Sequence, residues 1–216
     1  MCSTECIGIL LAGGRAQRMG GGDKPLERLG GIPLLSYAIA ALRPQCRRLI
    51  LSVNGDPERF AAFGLACVAD NLPSHQGPLA GILAGLDWAA AHCPEMALAL
   101  SAPADTPLLP SDLFSRLQSA RHNAADVACA SSGGKLHPVI ALWPVTLRGK
   151  LREAVVDGNL RKVEIFMRNC GAAIADWPVA PYDPFFNINS PVELEQAEAT
   201  LRSLKIHPPN GKVAGV

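Results

Sequence analysis

A chain of 216 residues, 49% hydrophobic and 18% charged, is long enough to bury a sizeable core without staples, which excludes a disordered polypeptide. Twenty Lys plus Arg against nineteen Asp plus Glu leave a net charge of +1, so no electrostatic ground exists for a nucleic-acid or anionic-membrane partner. Seven scattered cysteines without a C-x-x-C pair argue against a disulfide framework or a zinc site, and no apolar run has the length of a signal core or membrane span; the expected location is the cytoplasm.

Short apolar runs at 6–11, 49–53, 66–69, 96–101 and 126–130 predict strands. Between them, amphipathic segments at 33–42, 57–63, 79–92 and 111–123 predict helices, with Pro33 and Pro57 at positions where a first-turn proline is tolerated. That alternation predicts βαβ crossovers: an α/β, Rossmann-like, three-layer fold with a mainly parallel sheet and helices on both faces. Beyond Ala130 the rhythm changes, to a strand at 137–143, helices at 145–156 and 161–169, and a strand at 172–176. A turn-rich stretch then leads to a last helix at 190–204, started by the capping box Ser190-Pro191-x-Glu193. One domain over 1–205 with a mobile tail at 206–216 is the expected organisation.

Directly after the first predicted strand, the stretch 10–24 carries five glycines together with Arg15, Arg18 and Lys24. In an open α/β sheet this loop lies at the carboxyl ends of the strands, where ligands bind. Glycines there allow backbone N–H groups to approach phosphate oxygens, and the cations add positive charge. The spacing is neither a Walker A sequence nor G-x-G-x-x-G. The bland alternative is a flexible cationic surface loop.

Asp105 ends the apolar run that starts at Met96, between Pro103 and Pro107, so it is expected to emerge beside the glycine-rich loop. A carboxylate there suits Mg²⁺, which takes one or two carboxylates together with phosphate oxygens and water. An Asx-turn before Pro107 is the structural alternative. Asn187 and Asn189 are expected to alternate across a short strand and so to point to opposite faces. Only one can then reach the metal or phosphates; Asn189 is the candidate, and a helix cap is its other reading. Asp70 and Asn54 close strands and also read as turn residues. His137, before Pro138, is a lone histidine of the kind that is most often structural. No Ser-His-Asp, Cys-His or H-E-x-x-H pattern supports covalent or zinc catalysis.

The ordered set Leu11-Ala12-Gly13-Gly14, Arg18-Met19-Gly20, Asp23-Lys24, Gly77-Pro78-Leu79-Ala80-Gly81, Asp105-Thr106-Pro107, His137-Pro138 and Phe186-Asn187-Ile188-Asn189-Ser190-Pro191 resembles the molybdenum cofactor guanylyltransferase family. The resemblance implies transfer of GMP from GTP to molybdopterin, with Leu11, Ala12, Gly13, Gly14 and Lys24 on the nucleotide and Asn54 and Asp70 near its nucleoside. It implies Mg²⁺ on Asp105, and it makes an acceptor-side role conceivable for His137. Under this reading Lys24 neutralises phosphates, Arg18 holds the leaving group, and Arg161, Lys162 and Arg168 could meet the pterin phosphate unless they are simply a solvated helix face. Alternatives are cytidylyl transfer, transfer to a sugar phosphate, and a non-catalytic protein that delivers the cofactor to partner proteins. Within the resemblance, the second glycine of the Gly13-Gly14 pair implies guanylyl transfer.

Overall fold

The computed structural model describes residues 6–13, 23–69, 72, 77–123, 126–204, 206 and 209. The chain opens with β1 (Cys6–Leu11), whose residues are almost all buried, as expected of a central strand covered on both faces. After a 3₁₀ turn at Lys24–Leu26 comes a small antiparallel ribbon, β2 (Arg28–Leu29) and β3 (Ile32–Pro33), leading into α1 (Leu34–Leu42). β4 (Arg48–Val53) follows. Pro57–Phe63 then forms a 3₁₀ helix capped by Asp56, where the sequence predicts helix, and β5 (Ala66–Ala69) comes next. The βα rhythm continues with α2 (Pro78–His92), β6 (Leu98–Pro103) and α3 (Leu113–Ala120).

The last part of the chain adds β7 (Ala128–Ser132), β8 (Lys135–Pro144), α4 (Arg148–Arg152), α5 (Val163–Asn169), β9 (Ala173–Trp177) and α6 (Pro191–Ser203). The helix predicted at 145–156 is divided into a 3₁₀ turn, α4 and a π-helical turn. Seven strands form one sheet in the order β5-β4-β1-β6-β8-β7-β9. The pairings β5·β4, β4·β1, β1·β6 and β7·β9 are parallel, while β8 runs antiparallel to both β6 and β7. The sheet is therefore mixed, with its parallel part first.

Helices cover both faces. α2, α4 and α5 bring Leu79, Leu86, Leu151 and Phe166 against Ile7, Ile9 and Trp143. On the other face α1 and α3 bring Leu35, Leu42 and Leu113 against Leu10, Leu51 and Leu100. A third cluster, with Leu29, Leu34, Ile188 and Leu201, seats α6 on the small ribbon. That third cluster matters for the site, because it carries the segment before α6 back to the start of the chain.

The turn between β7 and β8 is Gly133-Gly134, both with positive φ (55° and 77°), and Ser132 pairs with Lys135 across it. Two left-handed residues in a two-residue loop make the turn whose twist matches paired strands. Below it the register slips: Cys129 faces Ala141, but Ala130 faces His137. The excess residues on β8 include Pro138, which has no N–H to give to a ladder. His137-Pro138 thus marks a bulge.

Candidate active site

Beyond the carboxyl ends of β1, β4 and β6 the backbone ladder continues for one more residue. Ala12 N–H donates to Ser52 O at 2.9 Å, and Ala104 N–H donates to Leu11 O at 3.0 Å. This holds Gly13, Asn54 and Asp105 side by side on the rim of a cavity of about 400 Å³, which Leu11, Gly77 and Asn187 also line. Gly13 must be small: a Cβ there would lie 2.8 Å from Asn54 Nδ2. The N-terminus of α2, Gly77-Pro78, opens on the same cavity. The helix dipole favours an anion there. Of the predicted nucleotide contacts, Leu11, Gly13, Asn54 and Asp105 line this cavity, and Ala12 lies buried beneath them. Gly14, Arg18 and Asp70 lie outside the described residues.

Lys24 lies at the centre of a polar cluster. It is 8% exposed, and its Nζ forms an ion pair with Asp105 Oδ2. It also donates to Asn187 Oδ1 at 3.2 Å and to Asn189 Oδ1 at 2.5 Å. The expectation that Asn187 and Asn189 point to opposite faces is therefore corrected. The stretch is not a strand. Ile188 N–H donates to Asp105 O at 3.3 Å, and Asn189 N–H is taken by Glu193 Oε2 at 2.6 Å. The capping box of α6, in which Ser190 Oγ accepts from Glu193 N–H, thus also anchors Asn189.

Asp105 Oδ1 is buried without a hydrogen-bond partner among the described residues. An orphaned carboxylate oxygen beside two amide oxygens is the kind of donor set that a hard divalent cation takes, with phosphates completing the shell. The residues present fit Mg²⁺. Among the described residues there is no cluster of three His, Cys, Asp or Glu that would hold a metal without a substrate.

Arg59 was not singled out from sequence, yet it braces this region. Its Nη1 donates to Asp23 Oδ1 at 2.5 Å, its Nη2 donates to the carbonyl of Asn54, and its guanidinium lies 5.0 Å from the Phe60 ring centroid. It ties the residue before Lys24 to the end of β4. A lone arginine in a surface 3₁₀ turn carries no signal for such a role.

A second cavity, of about 460 Å³, adjoins the first; both are lined by Pro103, Val139 and Asn187. His137 lines it, within a hydrogen-bond chain: Ser132 Oγ donates to Asp183 Oδ1 at 2.8 Å and meets His137 Nε2 at 2.8 Å. A hydroxyl has one proton, and the carboxylate takes it, so His137 Nε2 must carry the N–H that Ser132 accepts. The ring of Phe185 packs against the imidazole, with centroids 4.9 Å apart. Burial pushes the His137 pKa below its ordinary 6.5, against the opposing pull of Asp183. Lys135, Thr106, Glu164 and Glu193 line the same cavity. Arg161, Lys162 and Arg168 are exposed and line neither cavity, so the structure does not bring them to the site. Ser132 and Asp183 escaped sequence reasoning because they lie 51 positions apart and only folding brings β7 and the loop before α6 together.

A profile of the MobA-like NTP transferase domain matches residues 8–169. The chain is 55% identical over 191 residues to a molybdenum cofactor guanylyltransferase of Rhodopseudomonas palustris (strain BisB5), covering 88% of this chain and 91% of that one. It is 52% identical over 197 residues to the enzyme of the same name from Bradyrhizobium sp. (strain ORS 278), covering 91% and 93%. Among solved structures, the molybdopterin-guanine dinucleotide biosynthesis protein A from Archaeoglobus fulgidus superposes with a TM-score of 0.69 at 20% identity, covering 91% of this chain and 99% of that one. Such similarity over nearly the whole length makes this chain a nucleotidyltransferase of the MobA-like NTP transferase family, and within it a member of the molybdenum cofactor guanylyltransferases.

Proposed function

We propose that the protein transfers GMP from GTP to the molybdenum cofactor (molybdopterin), forming the guanine dinucleotide cofactor and pyrophosphate. The observation that carries this reading is the meeting of two cavities at Asn187, which Lys24 ties to Asp105 of the first and Asn189 of the second. The first, lined by glycines and a helix N-terminus beside Asn54 and Asp105, suits a triphosphate and nucleoside; the second, lined by His137, Asp183 and Phe185, suits the acceptor. The acceptor's phosphate oxygen forms a bond to the α-phosphorus of GTP. The bond from that phosphorus to the bridging oxygen breaks, and pyrophosphate leaves with the electron pair. A phosphate monoester with a second pKa of about 6 is largely ionised at neutral pH, so no general base is needed.

Leu11, Ala12, Gly13 and Gly14 would hold the nucleotide by close backbone approach, with Asn54 and Asp70 near the nucleoside. Lys24 and Arg18 would offset phosphate charge, and positioning with electrostatic stabilisation would supply the rate. Asp105 would hold Mg²⁺, with Asn189 as a second oxygen donor. When bound, the ion offsets charge on the departing pyrophosphate. The unpartnered Oδ1 of Asp105 supports this role. We also propose a single functional domain over 1–205 and a cytoplasmic location; among the described residues no helix is long and apolar enough to cross a membrane.

The test is to incubate the purified protein with molybdopterin, Mg²⁺ and each NTP in turn, measuring pyrophosphate and the dinucleotide product. Turnover with GTP alone is expected. Turnover with CTP instead would overturn the base assignment, and GTP binding without any turnover would leave a delivery protein.

A further inference from the structure

An ammonium group has three N–H donors. Lys24 spends them on Asp105 Oδ2, Asn187 Oδ1 and Asn189 Oδ1, in a place that is nine-tenths shielded from solvent. A divalent cation bound by Asp105 seeks the same oxygens. The cluster is thus an oxygen cage that already contains a cation, and that cation belongs to the protein. Two positive centres cannot share it without a further anion between them. Nor does Lys24 withdraw without cost, because that strips a buried ammonium of all three oxygens it bonds.

A triphosphate resolves both difficulties, since it supplies oxygens for Lys24 and carries its own metal. The backbone around Lys24 need not move. Asp23 is held by Arg59, so the change required is a rotation of the four-carbon side chain toward the first cavity, which Asp105 and Asn187 also line. We propose that Lys24 is a resident counter-ion that closes the Asp105 site to free metal, so that metal reaches Asp105 only with the nucleotide or after it, never before it. The inference rests on the GTP-binding reading of this site.

Free Mn²⁺ serves as the probe, followed by its solution EPR signal as protein is added without nucleotide. Wild-type protein is expected to take up no Mn²⁺ in an Asp105-dependent manner. Lys24→Met, which keeps the side-chain length and removes the charge, is expected to bind it at least roughly tenfold more tightly, because a nearby like charge is gone. Adding Asp105→Asn should abolish that gain. Saturable Mn²⁺ uptake by the wild type that Asp105→Asn removes would overturn the proposal without any variant of Lys24. So would unchanged affinity in a folded Lys24→Met. Calorimetry with α,β-methylene-GTP and Mg²⁺ separates the two levels: binding by the wild type keeps the functional reading whatever Mn²⁺ does. Absence of binding sinks that reading and the inference with it.

Discussion

The two halves of the sheet build their cavities by different means. In β5-β4-β1-β6 every strand is parallel, so all carboxyl ends fall on one edge, and the cavity there is lined by three glycines and a helix N-terminus together with Asn54 and Asp105. In β8-β7-β9 one strand is reversed, a hairpin and a bulge re-aim the chain, and the cavity is framed by Thr106, His137, Asp183 and Phe185. Backbone recognises phosphate, which every NTP carries; side chains recognise a particular acceptor. On the proposed reading, the generic chemistry and the selective chemistry would fall to two neighbouring cavities that share Pro103, Val139 and Asn187, with Asp105 on the rim of the first.

The sharpest way to break that division is at the joint. Asp105→Ala should lower kcat by about 10³-fold, as for loss of a main electrostatic contact; Tm should fall because Lys24 loses its buried partner, while far-UV circular dichroism still reports the folded chain. Near-normal turnover by the folded variant would refute the metal role. On the backbone-built side, Gly13→Ala should weaken GTP binding by roughly tenfold through its clash with Asn54, with a cost of about 1–3 kcal/mol or less in stability. If calorimetry finds the GTP affinity unchanged and only the acceptor KM raised, the division of labour is wrong.

On the side-chain-built side, His137→Phe keeps the packing on Phe185 but loses the link to Ser132. It should raise the acceptor KM several-fold, on the order of 1 kcal/mol for a lost hydrogen bond, and leave GTP affinity untouched. Asp183→Asn should do the same more weakly, since an amide oxygen can still accept from Ser132. The smallest effect is on stability. The folded His137 holds its proton less readily than the unfolded chain, so stability is fully present above the ordinary value of 6.5 and declines as pH falls through it toward the lower folded value. Urea titrations at pH 7 and pH 5 should show His137→Gln losing less stability on acidification than the wild type.

Much of the first half was legible in the chain itself. Cys6–Leu11 and Ala66–Ala69 are strands at the predicted bounds, and Asp105 emerges beside Gly13 as its position after an apolar run implies. The β2–β3 ribbon was missed because two-residue strands have no periodicity, although Gly30-Gly31 between Leu29 and Ile32 is a hairpin signal. Gly133-Gly134 between Ser132 and Lys135 is a hairpin signal of the same kind. Asn187 and Asn189 were misread because alternation presumes a strand, whereas the segment is held by Ile188 N–H on Asp105 and by the cap of α6.

By itself the sequence determined the class of fold and the family resemblance, because these depend on local periodicity and on residue types at short spacing. Tertiary structure alone decided that Lys24 would meet Asn187 and Asn189 more than 160 positions away, that Ser132 and Asp183 would set the tautomer of His137, and that two cavities would share Asn187. Those contacts arise from strand order and from the seating of α6 on the small ribbon. Neither leaves a mark within the reach of a local pattern.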